Sequence, residues 1–325
     1  MEDYQMNLFD EDSRMLGTLK ETSIKEISGD KSVKIKSIIS ASRRTDIPAF
    51  YYDWLQSSLQ HGSVEIPNPI YQNKTYHVDL RSESVHSIVL WSKDFSNVVK
   101  EPGYLNNYNL YFQYTVNHYS KLLEPRVPEY KHTLRVIEGL LKRYHPRQFN
   151  IRFDPIIISQ RGEISPTPDK PDYARLLVFE QLCKDIRALG MEECRVTTSY
   201  LALYGHVLRC LEHSDLDILH LNEENQIIFF SQMVQIADQY GITLYSCASP
   251  VLERVEGMKI GHCIDGELLE QLFGGRVKKS KDTGQRKACG CTVSREIGIY
   301  SRSENGMKCL HGCSYCYIMG KEAHL

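Results

Sequence analysis

The chain has no apolar run approaching the roughly 20 residues that cross a bilayer. Its amino terminus, Met1-Glu2-Asp3-Tyr4-Gln5, has neither the basic nor the apolar region of a secretory signal. These absences exclude a membrane span and an export leader, and point to a cytoplasmic protein whose thiols stay reduced. Charge of one sign is also missing: 39 Lys and Arg face 41 Asp and Glu, a net charge of -2, so only a local basic surface could draw phosphates. With 325 residues, 42% of them hydrophobic, the chain is long enough for one barrel-sized domain or two smaller ones.

What the chain does have is cysteine, and its placement is uneven. Five of the ten cysteines lie in the last 37 residues. Cys309, Cys313 and Cys316 form a C-x3-C-x2-C array within Cys-Leu-His-Gly-Cys-Ser-Tyr-Cys-Tyr. A structural zinc closes its tetrahedron with four protein ligands, whereas thiolates at varied spacings hold iron-sulfur clusters. Three cysteines in one short loop leave one iron of a four-iron cluster open, and residues so close in sequence seldom meet disulfide geometry. A second set is Cys247, Cys263 and the pair Cys289 and Cys291, with Gly290 letting the backbone turn between the last two. Four thiolates fill a closed site, either an auxiliary 4Fe-4S cluster or a structural zinc. The neighbouring trio and the lack of zinc-type knuckles favour the cluster; the bland alternative is that Cys247 and Cys263 are small buried residues. Cys183, Cys194 and Cys210 read as core or helix-face cysteines.

Residues 1–34 form a polar arm interrupted by one apolar island, Gln5-Met6-Asn7-Leu8-Phe9. This island resembles the pentapeptide with which bacterial replication and repair proteins bind the sliding clamp, with Gln5, Leu8 and Phe9 as its key positions; Leu8 and Phe9 could equally tack the arm onto the protein's own core. Over residues 35–250 apolar strands alternate with amphipathic helices. Ser37–Ala41, Ile88–Trp91, Leu110–Thr115, Phe149–Phe153, Cys194–Ser199 and Ile242–Ser246 read as strands. Helices are expected from Asp46-Ile47-Pro48 through Leu59, over Pro128–Tyr144, and in the stretches ending at Gly190 and Gly241. This is the pattern of parallel β/α units and a partial or complete TIM-like barrel. Its strand ends carry Ser40, Ser42, Arg43, Arg44, Thr45 and Asp46, then Ser92, Lys93 and Asp94, then Thr115 and Asn117, Arg152 and Asp154, Thr197, Thr198 and Ser199, and Ser246 and Cys247, where a parallel barrel gathers its working residues. The Cys-rich segment 251–325 follows, with basic residues in Arg276–Lys281 and at Arg286-Lys287, which read either as a solvated loop or as a grip on phosphates.

The cysteine trio, with the aromatic Tyr315 before its last member, resembles the cluster loop of radical S-adenosylmethionine (SAM) enzymes. Thr45-Asp46-Ile47-Pro48, Ile88–Lys93, Leu123-Glu124-Pro125 and Arg152-Phe153-Asp154-Pro155 resemble, in order, segments of the spore photoproduct lyase-like branch of that superfamily. There the cluster loop comes first; here it comes last, as if the barrel were circularly permuted. The opening Ser40–Ala49 and the Cys-rich tail together resemble a bacterial family, DUF1848. The resemblance implies that Cys309, Cys313 and Cys316 hold a 4Fe-4S cluster. It implies that Lys93 meets the carboxylate of S-adenosylmethionine, and that Ser40, Ser42, Thr45, Asp46 and Tyr315 line the cofactor site. A 5'-deoxyadenosyl radical would then abstract hydrogen from the substrate, with an electron donor such as flavodoxin or ferredoxin as partner. DNA, for lesion repair or base modification, is the substrate suggested by the basic loop and clamp-like peptide. A small molecule or protein substrate is the alternative, and a non-catalytic metal-stabilised binding protein, with zinc or iron-sulfur, is a third reading.

Overall fold

The computed structural model of the chain describes residues 34–68, 71, 74–159, 171–212, 218–300 and 306–316. Gln5, Leu8 and Phe9 lie outside the described residues. Apolar runs become parallel strands here because a strand covered on both faces has little need of polar alternation. The strands and α-helices, in chain order, are β1 (Ile35–Ala41), α1 (Ile47–Phe50), α2 (Tyr52–His61), β2 (Ser63–Pro67), β3 (Thr75–Asp79), β4 (Val85–Ser92), α3 (Ser96–Lys100), β5 (Leu110–Thr115), α4 (Tyr130–Leu141), β6 (Phe149–Ile156) and β7 (Ile158–Ser159). They continue with α5 (Pro171–Ala188), β8 (Arg195–Tyr200), α6 (Gly205–Glu212), β9 (Ile218–Leu219), α7 (Glu223–Gln239), β10 (Leu244–Cys247), β11 (Lys259–Gly261), α8 (Gly266–Phe273), β12 (Arg276–Val277) and β13 (Arg295–Glu296).

Nine strands make one sheet in the order β11-β10-β8-β6-β5-β4-β1, with β12 and β13 both against β1. Every pairing in that sheet is parallel, and it curls into a half-barrel. β12 meets the start of β1, where Ile35 faces Arg276, and β13 meets its end, where Ser40 faces Glu296. Among the described residues β11 pairs with neither β12 nor β13, so the barrel is partial. The Cys-rich segment thus adds two strands to the sheet edge at β1.

Alternation along each strand separates the two faces. Ile39, Leu90, Phe112, Ile151 and Val196 point outward into one core with Leu55 of α2, Ile137 of α4, Phe179 of α5 and Phe230 of α7. Phe112 stacks on Phe149 at 4.8 Å and meets Phe95 edge-on at 5.3 Å; each such buried ring contributes roughly 1.5–3 kcal/mol by area alone. The inner face begins apolar, with Ile38, Val89 and Tyr111 packed against cysteines. Beyond them it turns polar: Thr197 donates to Asn150 Oδ1 (2.7 Å) and Asn150 Nδ2 to Gln113 Oε1 (2.9 Å). A hydrogen-bonded ladder therefore lines the inside of the half-barrel.

The structure departs from the sequence reading in particular places. The helix expected through Leu59 breaks at Tyr51, whose φ of −130° and ψ of 34° end α1 and begin α2. The break leaves Tyr51 free to donate its hydroxyl to the Lys308 carbonyl at 2.9 Å. The helix expected over Pro128–Tyr144 runs only over α4, and buries Val136, Ile137 and Leu140. The β2–β3 hairpin is an addition to the expected alternation.

Candidate functional site

Residues 306–316 carry the cysteine trio across the carboxyl ends of β1, β4 and β5. Backbone bonds clamp the loop to the segment after β5, from Arg126 N to His311 O (3.2 Å) and from Ser314 N to Leu123 O (3.0 Å). Arg126 Nε also donates to the Leu310 carbonyl. His311 Nε2 donates to Asp46 Oδ2 at 2.8 Å, and its ring meets Phe50 edge-on at 4.7 Å. Cys313 is buried while Cys309 and Cys316 are half-buried. Burial pushes the Cys309 thiol up to about 12, helped by the negative charge of Asp46. Burial raises Cys313 further, against the pull of Lys93. Cys316 acts on both thiols, so the three share one electrostatic neighbourhood.

Asp46 is the anchor of this arrangement. Its carboxylate accepts from Ala49 N (3.0 Å) as the cap of α1, from Ser92 Oγ (2.7 Å), from Lys93 N (2.9 Å) and from His311. Both oxygens are committed, so Asp46 ties the ends of β1 and β4 to the cysteine loop. Lys93 Nζ lies 2.5 Å from Glu124 Oε1 and 3.0 Å from Tyr315 OH. The Tyr315 hydroxyl also donates to Glu124, and Asn117 Nδ2 reaches both Tyr315 OH (2.9 Å) and Glu124 (3.3 Å). Burial would lower the Lys93 ammonium, but Glu124 lifts it above its ordinary value. Burial would raise the Glu124 carboxyl, but Lys93 holds it below the ordinary range. The pair is a buried ion pair with its remaining hydrogen-bonding capacity partly filled by Tyr315 and Asn117.

The structure thus brings Asp46, Lys93 and Tyr315 together with the trio. Ser40 turns aside: it donates to Glu296 Oε2 (2.9 Å) and accepts from Trp91 Nε1 (3.1 Å). Ser42 Oγ accepts from Arg44 N (2.9 Å) and packs against Gly298, where any side chain would overlap it. Thr45 Oγ1 is buried with no partner among the described residues. Asn117, expected only as one of the polar strand-end residues, joins the site, whereas sequence reasoning gave no role to His311, Glu124 or Glu296. Two carried a signal: His311 sits inside the cysteine array, and Glu124 lies in the quoted Leu-Glu-Pro.

The second cysteine set gathers at the carboxyl ends of β10 and β11, in a separate cluster from Cys313. Cys247 Sγ lies 3.1 Å from Cys263 Sγ. Cys291 interacts with both Cys263 and Cys289. Cys247 and Cys263 are thus in direct contact, and among the described residues no group of three or more His, Cys, Asp or Glu stands in coordination geometry. Arg152 Nη1 donates to Cys263 Sγ at 2.8 Å, while Nε and Nη2 fork onto Asp154 at 3.1 and 2.5 Å. Trp91 lies between Arg43 and Arg152, each guanidinium 5.4 Å from its ring. Asn117 Nδ2 also reaches the Asp154 carbonyl at 2.9 Å. A polar chain through Arg152, Asp154, Asn117 and Tyr315 therefore links the two cysteine sets across the carboxyl ends of the central strands.

In the basic segment, Lys279 pairs with Glu270 (2.8 Å) and Lys281 donates to Lys287 O (2.7 Å), while Arg276 and Lys278 stay exposed. Among the described residues no helix is long and apolar enough to cross a membrane. The profile of a domain of unknown function (DUF1848) matches residues 38–318. No curated protein and no solved structure matches the chain.

Proposed function

The chain belongs to the DUF1848 family, and from the geometry of its half-barrel we propose that it is a radical SAM iron-sulfur enzyme. One observation carries this reading: a single loop bearing three cysteines, one buried and two half-buried, lies over the carboxyl ends of a curled parallel sheet. There the loop is gripped by His311 on Asp46 and by Tyr315 on Glu124. The parallel pairing of β13 with β1 also supports the permuted order, since it lies beside β1 and leads towards the cysteine loop.

Cys309, Cys313 and Cys316 are the residues that would hold a 4Fe-4S cluster, and a set of three thiolates suits a cluster with one open iron. When bound and reduced, that cluster supplies the electron that splits S-adenosylmethionine into methionine and a 5'-deoxyadenosyl radical. The chain's own part is positional. Asp46 holds the loop at a fixed distance from β1 and β4, and burial keeps water from the Cys313 thiol. Lys93 is already paired with Glu124, so binding a cofactor carboxylate there requires the ammonium to exchange partners. This makes Glu124 a residue that sets the cofactor site through Lys93. DNA as the substrate gains nothing from the exposed Arg276 and Lys278, since Arg276 lies beside Ile35 at the start of β1, away from the cysteine loop.

The test is metal analysis after anaerobic purification. Wild-type protein is expected to carry about four irons and four sulfides at the trio, and the Cys309→Ala, Cys313→Ala, Cys316→Ala triple variant to lose them. Wild-type protein that takes up no iron on reconstitution, or a triple variant that retains all of it, would overturn the proposal.

A further inference from the structure

The second cysteine set has a geometry that distinguishes between its two metal readings. A four-iron cube gives each cysteine its own iron at a separate corner, so its protein sulfurs do not touch. A single zinc ion draws four thiolates onto one centre, with Zn–S bonds of about 2.3 Å and hence sulfur–sulfur edges of about 3.8 Å. Here Cys247 already touches Cys263 at 3.1 Å, and Cys291 interacts with both Cys263 and Cys289. Opening that first contact to the tetrahedral edge moves the sulfurs by under an ångström, on the order of 0.7 Å.

We infer that Cys247, Cys263, Cys289 and Cys291 hold one zinc ion in a closed, four-thiolate structural site. The site ties together the end of β10, the turn after β11 and the Cys-Gly-Cys turn, whose surroundings have little other regular structure. All four thiols are at most 8% exposed, as a closed site requires. Its outer partners are present as well. Arg152 donates to the Cys263 sulfur, and its positive charge offsets the excess negative charge of four thiolates on a divalent ion. The His262 ring fills the space beside Gly290, which is why no side chain fits there. Its Nδ1 is buried without a partner among the described residues.

This inference is independent of the radical SAM reading, and one experiment separates them. The full-length Cys309→Ala, Cys313→Ala, Cys316→Ala variant is purified without added metal, and zinc, iron and sulfide are measured together. About one zinc per chain, with no iron or sulfide, is the expected result. Iron with sulfide in this variant would overturn the inference in favour of an auxiliary cluster, and protein folded without any metal would overturn it outright. Wild-type protein with one zinc and no iron would leave the zinc site standing and remove the radical reading instead. Should the triple variant fail to fold, cobalt(II) exchange into wild-type protein gives the same answer: tetrahedral thiolate charge-transfer bands are expected, and their absence refutes the site. Arg152→Met should weaken zinc about 10–100-fold, read by competition with a chelating dye, as loss of an outer partner does.

Discussion

Replacing Asp46 with alanine removes the carboxylate on which three segments meet. Four donors use it: Ala49 N, Ser92 Oγ, Lys93 N and His311 Nε2, at 2.7–3.0 Å. Losing the cap of α1 costs about 1 kcal/mol. Ser92 keeps an acceptor in the Asp94 carbonyl at 2.7 Å. The Lys93 amide and His311 Nε2 do not, and each buried donor left unpaired costs about 1–3 kcal/mol. The sum is about 3–7 kcal/mol, and local relaxation favours its lower half. Urea unfolding at neutral pH measures it: with a slope near 3 kcal/mol per molar, the midpoint falls by about 1 M or more. Because His311 also pins the cysteine loop, Cys313 should alkylate faster in native Asp46→Ala protein than in wild type. Asp46→Asn should fall between them, since its amide keeps one acceptor oxygen but turns an N–H₂ towards one pair of donors. A loss below about 1 kcal/mol, with Cys313 equally protected, would refute the assignment of Asp46 as the anchor.

Glu124→Gln leaves the Lys93 ammonium buried without its carboxylate and should cost about 3–5 kcal/mol at neutral pH. Glu124 is held below its ordinary 4.5, so its contribution is complete above that pH and is lost as pH falls through the depressed folded value. Lys93 is raised above 10.5, so its contribution is complete below that pH and is lost only as pH rises through the higher folded value. Unfolding measured across pH should therefore show the wild-type advantage flat between these limits and shrinking in acid; an advantage that persists undiminished in strong acid would contradict the pairing. Gly298→Ala places a methyl group onto the Ser42 side chain, and should cost about 1–3 kcal/mol as overpacking does; an unchanged melting temperature would show that the β13 edge is looser than described.

The strands of the half-barrel were legible because parallel strands covered on both faces are written as continuous apolar runs, and Leu110–Thr115 matches β5 residue for residue. β12 and β13 were not, since two residues carry no period. The cysteine spacing identified the trio, but nothing local to residues 309–316 says that the loop rests on Asp46. That contact depends on the tertiary fold, as do the partners Asn117 and Glu124 of Tyr315. Lys93 was picked out as a strand-end cation; that its ammonium is already engaged by a carboxylate became clear only from the packed site. The second cysteine set was readable as a group, whereas the choice between a cluster and a single ion rests on sulfur–sulfur contact, which spacing does not encode.

The most direct measurement is release of 5'-deoxyadenosine from S-adenosylmethionine by the reconstituted protein under dithionite, compared with the Cys313→Ala variant. The account predicts release by the wild type, abolished in the variant while the zinc content stays the same. No release from a wild type carrying a full complement of iron and sulfide would contradict the radical reading, and leave a metal-stabilised half-barrel whose cysteine loop serves another purpose.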